Sequence, residues 1–372
     1  MMPTAMDLAL DLEHVPAPPA RSDYSIGVIG AGFVVREVQL VAYRSAGYNV
    51  RAITALELDQ AHETARLHGI PIVYRDVEEL LGDRRIEVLD IAVPPAEQPG
   101  ILREAVRHAD HIRGVLAQKP LALTYREAAE IVRLCENAGI VLAVNQNMRW
   151  DPSIRALRTL LSRGWLGDPV LATIEMRVPR RYTGWKRRSD RLTLPVMSIH
   201  HLDVFRFLFG EPESVWASAA RDPRADFPHT DGIVLYVLEY ASGLRAAACD
   251  DVYAGPVLEG AAADNYVRWR VEGTEGMAKG SIGWHAWPNV VPSTIDFTLR
   301  RQPGVWFSPR WKQAWFPDAF AGTMGELLDS LARGRQPSIS GRDNLRTLAL
   351  VEACYLSLAE RRAVRVADVG GS

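Results

Sequence analysis

The sequence predicts an N-terminal α/β domain with a doubly wound parallel sheet, followed by an α+β domain with a largely antiparallel sheet. Three observations carry this expectation. Between Tyr24 and Asn145 short apolar runs alternate with helical stretches, the order that lays parallel strands beneath helices on both faces. The first run leads into Gly30-Ala31-Gly32, a turn that opens a helix. Beyond residue 165 strand candidates follow one another, with most helices set apart from them.

Residues 1–22 carry Asp7, Asp11 and Glu13, then Pro16, Pro18 and Pro19. They have neither the basic start nor the unbroken apolar run of a secretory signal, so an arm is expected, flexible or packed on a neighbour. The first domain spans 23–145, with strands expected at 24–29, 50–55, 72–74, 88–93, 115–117 and 140–145. Helices are expected between them at about 33–46, 60–68, 98–109 and 124–138. Val88-Leu89-Asp90-Ile91-Ala92-Val93 is almost continuously apolar, as a strand covered on both faces requires. Thr124 and Glu127 form a capping box, and Gly47, Gly69 and Gly139 stand where helices end. Asp151 and Pro152 start a helix at about 152–163, as N-cap and first-turn proline. In the second domain, 146–368, strands are expected at 170–178, 214–221, 232–240, 244–252, 265–272 and 276–282. Turns at Ser242-Gly243 and 273–276 join pairs of them, and helices fall at about 199–209, 318–333 and 343–360.

The length of 372 residues suits two domains, and 48% hydrophobic against 24% charged residues supports packed cores. A net charge of −2 gives no general attraction to nucleic acid or to membrane surfaces. No apolar run approaches the roughly 20 residues that span a bilayer. Cys135, Cys249 and Cys354 are too scattered for a disulfide framework or a zinc site, so buried thiols in a reducing cytoplasm are expected. The histidines show no metal-binding spacing, and no metal is expected.

The segment Gly27-Val28-Ile29-Gly30-Ala31-Gly32-Phe33 joins a strand to a helix. Gly30 permits the tight turn, and Gly32 lets a pyrophosphate approach the helix N-terminus, where unpaired N–H groups and the dipole favour anions. Val35 fills the third glycine position, so the fingerprint is incomplete, but its strand–turn–helix setting makes it specific. The domain therefore reads as a Rossmann domain, with Gly30, Ala31, Gly32, Phe33 and Val34 lying along a dinucleotide. The acid that binds the ribose belongs at the end of the second strand, which reads Thr54-Ala55-Leu56-Glu57. Ala55 holds the usual aspartate's place, and Glu57 stands two residues on. No Arg or Lys follows to meet a 2′-phosphate, so the choice between NAD and NADP tips to NAD.

Gln118-Lys119-Pro120 follows the fifth strand. A lysine there lies beside the crevice where dinucleotides bind, although taken alone a solvated turn lysine is the plainer reading. Other stretches change that balance: Ala92-Val93-Pro94-Pro95, Asn145-Gln146-Asn147-Met148-Arg149, Gly164-x-x-Gly167, His200-His201-Leu202-Asp203 and Gly334-x-x-Pro337. With them the chain resembles the Gfo/Idh/MocA oxidoreductase family from about residue 24 to 366. The resemblance implies NAD(P)-linked oxidation or reduction of sugars, polyols or related compounds. It also implies a second domain whose open sheet often mediates oligomers, here a dimer or tetramer. Val93, Pro94, Pro95, Gln98, Gln118, Lys119, Asn145 and Asn147 are then expected at the cofactor. The family's Glu-Lys-Pro maps onto this chain with Lys119 matching the active-site lysine and Gln118 replacing the glutamate. Its Asp-x-x-x-His pair maps onto Val196 and His200, keeping the histidine and losing the aspartate.

Oxidising a secondary alcohol sends a hydride to nicotinamide and a proton to a base. The unshifted pKa of a histidine suits His200 to that base, while Lys119 polarises the substrate oxygen or, if burial lowers its pKa, takes the proton. On the helix after Ile199, Leu202, Phe205, Leu208 and Phe209 form an apolar stripe, and His201 is turned about 100° from His200. His201 is either a substrate contact or a structural histidine, and Asp203 suits orienting a histidine or a backbone group. Asn147 and Arg149 follow the last strand of the first domain and suit substrate hydroxyls, unless Arg149 only pairs with a carboxylate. Seven Lys/Arg residues fall from Arg177 to Arg191, with Tyr182 and Trp185 among them, either a rim for substrate or a solvated loop. Trp284, His285 and Trp287 suit a sugar pocket or a core. Two other activities fit the same residues: a dinucleotide sensor without turnover, and elimination or glycoside cleavage assisted by tightly bound NAD.

Overall fold

The computed structural model describes residues 12–178, 182–252, 265–284, 286 and 288–369. They form two compact units, one of Pro16–Asn147 with Pro317–Leu348, the other of 12–15, Met148–Phe316 and 349–369. The expected linear division near residue 145 therefore differs: 317–348 returns to the first unit, and 12–15 joins the second.

In the first unit, strands β1 (Ile26–Ile29), β2 (Val50–Thr54), β3 (Ile72–Val73), β4 (Val88–Ile91), β5 (Gly114–Ala117) and β6 (Val141–Val144) form one sheet in the order β3-β2-β1-β4-β5-β6. Every pairing is parallel, and the order reverses between β1 and β4, which places a ligand crevice beyond their carboxyl ends. Each expected strand is present, with ends within two residues of expectation. The helices are α1 (Leu40–Ala46), entered through a π-helical turn at Val35–Gln39, α2 (Leu58–His68), α3 (Val77–Gly82), α4 (Gln98–Val106) and α5 (Tyr125–Asn137). Thr124 caps α5 as expected, its hydroxyl accepting from the Glu127 N–H. The short α3 has no expected counterpart. Six residues show too little periodicity, although Asp76 caps it.

The arm expected over 1–22 is part of the fold from residue 12 onward. Leu12 is fully buried, Arg155 donates to the Glu13 carbonyl at 2.9 Å, and His14 stacks on Trp311 at 4.7 Å. Within the first unit, the Ala20 N–H donates to Asp329, and the Arg21 guanidinium lies 3.9 Å over the Tyr24 ring. An aromatic face and a fixed carboxylate hold what a proline-rich composition presents as free.

The second unit opens with α6 (Pro152–Ser162), whose cap Asp151 accepts from the Ser153 and Ile154 N–H groups. Its sheet contains β7 (Pro169–Arg177), β8 (Ser214–Ala220), β9 (Ile233–Glu239), β10 (Arg245–Asp251), β11 (Tyr266–Gly273), β12 (Gly276–Ser281), β13 (Thr294–Leu299) and β14 (Val364–Arg365). Their order is β13-β12-β11-β7-β10-β9-β8-β14, and only β7 and β10 pair in parallel. The sheet is thus largely antiparallel, as expected. β13 has no counterpart among the expected strands, although Thr-Ile-Asp-Phe-Thr-Leu alternates strictly between half-buried and buried positions. α7 (Ile199–Phe209) packs on α6, and α6 crosses β12 and β13. On the other face of β8 and β9, Trp216 and Leu235 are each 46% exposed. α8 (Ala319–Arg333) lies against α1 and β5 of the first unit, and α9 (Gly341–Glu360) follows it. Among the described residues no helix is long and apolar enough to cross a membrane.

Candidate active site

The turn after β1 has the form a dinucleotide needs. Gly30 lies at φ 118°, and its N–H donates to the Thr54 carbonyl at 2.8 Å. A Cβ there would stand 2.4 Å from the Ala92 carbonyl oxygen, so only glycine fits. A Cβ on Gly32 would meet nothing within 4 Å, which leaves open space above the backbone at the helix start. Val35 is 1% exposed, so at the third glycine position it serves the core. Phe33, next to this turn, is half exposed. At the end of β2, the Thr54 hydroxyl is buried with no protein partner, while Leu56 stands fully in water. Ala55 is half-buried, and Glu57 is exposed and begins α2 without a side-chain capping bond. Pro94 is exposed beyond β4, and Pro95 is buried.

The loop after β5 is held from two sides. Gln98 is fully buried; its Oε1 accepts from the Gln118 N–H at 2.7 Å, and its Nε2 donates to the Gln118 and Pro120 carbonyls at 3.0 and 2.9 Å. Gln98 therefore shapes the loop that carries half-buried Lys119, where sequence reasoning placed it against the cofactor itself. The Gln118 Nε2 donates to Gln39 Oε1 at 3.2 Å. Gln39 Nε2 in turn donates to both oxygens of Asp90, at 3.0 and 2.8 Å, and the Tyr43 hydroxyl donates to Asp90 at 2.9 Å. Burial pushes the Asp90 carboxyl up to about 7, against the hydrogen bonds from Tyr43 and Gln39. At the end of β6, Asn145 Nδ2 and both amide atoms of Gln146 are buried without a protein partner. The Asn147 Nδ2 donates to the Asn145 carbonyl at 3.3 Å. Buried amides normally find partners, so these mark where a bound group would complete the site.

The second unit sorts the remaining residues. His200 is 3% exposed and meets the Trp315 ring edge-on at 5.3 Å, with Trp284 and Phe316 packed on the same tryptophan. Of the two readings for Trp284, sugar pocket or core, the structure has the core; His285 and Trp287 lie outside the described residues. His201, expected as a substrate contact, is fully buried with Nδ1 2.8 Å from Asp250 Oδ1. The Ser198 hydroxyl also donates to Asp250. Val196 is buried in a π-helical turn at Leu194–Ser198 that leads into α7. Arg149 and Asp203 form a bidentate pair, both contacts at 2.6 Å and both residues buried. That pairing takes Arg149 from the expected substrate role and gives Asp203 an arginine to hold. Removing one partner leaves a buried charge, so Arg149→Met should lower stability by about 3–5 kcal/mol. Urea unfolding measures this, and an unchanged midpoint would deny the pair its structural role.

Tyr182 is buried edge-on against Phe227 at 6.1 Å, while Trp185 is half-buried under the Lys186 ammonium. Within the basic stretch Arg177 pairs with Glu175, Arg187 with Asp226 and Arg191 with Glu352. That pairing favours a solvated, internally matched loop. Among the described residues no cluster of His, Cys, Asp and Glu suits a metal. Sequence reasoning missed Gln39, Tyr43 and Asp90 as a group. The one available signal was a carboxylate inside an otherwise apolar strand.

A reversed parallel strand order, a glycine turn with open space above it and a lysine at the same strand ends define a two-domain, dinucleotide-binding oxidoreductase. Residues 24–146 match the model of the oxidoreductase family with an NAD-binding Rossmann fold, and 154–279 match the GFO/IDH/MocA C-terminal domain. The chain is 30% identical over 345 residues to D-apiose dehydrogenase of Paraburkholderia graminis, covering 91% of this chain and 88% of that one. It is 25% identical to inositol 2-dehydrogenase of Rhizobium meliloti, over 92% and 98% of the two chains. Among solved structures, an Agrobacterium radiobacter oxidoreductase in complex with NAD+, L-tartaric acid and magnesium is 24% identical and superposes with a TM-score of 0.78, covering 93% and 99%. The chain belongs to the Gfo/Idh/MocA oxidoreductase family, as its motifs implied.

Proposed function

We propose that this protein is an NAD-dependent dehydrogenase acting on a secondary hydroxyl of a sugar, sugar derivative or cyclitol. The carrying observation is Lys119 on a clamped loop after β5, at the same carboxyl edge of the sheet as the Gly30–Gly32 turn after β1. The backbone of Gly30, Ala31, Gly32, Phe33 and Val34 would hold the pyrophosphate, and Thr54, Ala55 and Glu57 the adenosine ribose. Val93, Pro94, Pro95, Gln118, Asn145, Gln146 and Asn147 would line the nicotinamide end. Bound nicotinamide supplies the hydride acceptor. Lys119 polarises the substrate oxygen, and His200 is the base. Val196 has no proton to exchange. The activities of the apiose and inositol relatives favour the substrate class.

The test is a panel of pentoses, hexoses and inositols with NAD or NADP, followed at the reduced-nicotinamide band. Turnover with NAD is expected, with at least about tenfold weaker binding of NADP, because no arginine or lysine stands near Glu57 in sequence to meet a 2′-phosphate. A chain that binds neither coenzyme overturns the reading. Coenzyme binding without turnover on any substrate would turn it to the sensor. A reducing cytoplasm suits the free thiols of Cys135, Cys249 and Cys354.

The open face of the second unit's sheet suits self-association. Trp216 faces the same way as its cross-strand partner Val237, with exposed Leu235 nearby on β9. Trp216→Glu should shift sedimentation from a dimer or tetramer to a smaller species. A wild-type monomer would end this part of the proposal.

A further inference from the structure

With Asp90 ionised, above about pH 7, the hydrogen-bond chain behind Lys119 has only one permitted direction. An ionised carboxylate can only accept, so Asp90 forces Gln39 to turn its amide nitrogen inward. Gln39 Oε1 must then face Gln118, and residue 118 must supply a donor. Glutamine does so; an ionised glutamate, the family's usual residue there, would set a second carboxylate against the Gln39 carbonyl oxygen. The order of donors and acceptors runs from a buried strand residue, through the π-helical turn after the phosphate loop, to the residue beside Lys119. Amide orientation follows from the network, and here the carboxylate end of the chain decides it.

We propose that Asp90, acting through Gln39, is a positioning residue that fixes the hydrogen-bonding direction of Gln118 and thereby the loop carrying Lys119. The role in turnover rests on the dehydrogenase reading; the direction of the chain does not. Asp90 touches no reacting atom. Its partners within the network are Tyr43, Gln39 and, through Gln39, Gln118.

The direction can be reversed by design. In Asp90→Asn the new amide can donate to Gln39, which then turns its nitrogen toward residue 118. Tyr43 still donates to the remaining oxygen, so Gln39, Tyr43 and a glutamate at 118 each keep a matched partner. Gln118→Glu alone should lower kcat about tenfold at pH 8.5 and lower the melting temperature, since a part-buried hydrogen bond is replaced by repulsion. The double variant Asp90→Asn/Gln118→Glu should recover most of both losses. If the introduced glutamate did its damage only at the cofactor, a residue buried behind it could not rescue the loss. An unrescued double variant therefore overturns the proposal, as does a harmless Gln118→Glu.

Should Asp90→Asn fail to fold, Gln39→Met breaks the link instead. In that background the Gln118→Glu step should cost markedly less, and an equal cost in both backgrounds also overturns the proposal. If the wild type shows no nicotinamide turnover, the dehydrogenase reading fails by itself, and the melting temperatures still decide the direction of the chain.

Discussion

Lys119→Met is expected to lower kcat/KM for the best substrate by about 10²–10⁴-fold, the range of a lost proton-transferring or oxygen-polarising group. Methionine keeps the length and apolar stem of lysine and removes only the ammonium. The loop itself is fixed by Gln98 and Gln118, whose bonds do not involve the lysine side chain, so the fold should persist. NAD affinity should change far less than turnover. Lys119→Arg separates two roles. Arginine stays charged at all working pH values, so it rescues a purely electrostatic role and fails as a proton carrier. Stopped-flow and steady-state rates with each variant measure this, and wild-type kcat/KM in Lys119→Met would remove the lysine from the reaction.

Substitutions in the glycine turn should part stability from binding. In Gly30→Ala the new Cβ would stand 2.4 Å from the Ala92 carbonyl oxygen, in a backbone conformation at φ 118° that alanine avoids. Such backbone strain alone costs about 1–3 kcal/mol, and relieving the clash must open the turn between β1 and β4. A lower melting temperature and NAD binding weakened by more than about 100-fold are expected. Gly32→Ala is the contrast. Its Cβ meets no protein atom within 4 Å, so the fold should tolerate it, yet it fills the space a pyrophosphate would take. Calorimetry should therefore find a near wild-type melting temperature with binding largely lost. If Gly32→Ala binds NAD as the wild type does, the phosphates do not lie on this turn.

Much of this was legible before any coordinates. Short apolar runs alternating with helical stretches gave the strands of the first sheet, and strand runs in succession gave most of the second, because layered burial imposes that order. Residue types at helix ends were equally direct: Thr124 and Asp151 cap as their chemistry requires. Three elements escaped, β13 among them, and two of the three were too short to read. α3 is barely more than one turn long, and β14 contributes two residues to an edge. The roles of single polar residues were read less well. His201 and His200 are neighbours in sequence, yet one is held by Asp250, 49 residues away, and the other packs on Trp315.

The sequence by itself determined the layered architecture, the phosphate turn and the place of Lys119 at a strand end, because each follows from local period and local backbone chemistry. Only the tertiary structure decided that Arg149 belongs to Asp203, that Gln98 clamps the lysine loop, and that Asp90 is linked to Gln118 through Gln39. Those pairings join residues 20 to 79 positions apart. A buried polar group takes whichever partner the packed chain brings within about 3 Å, and no short-range pattern encodes that choice.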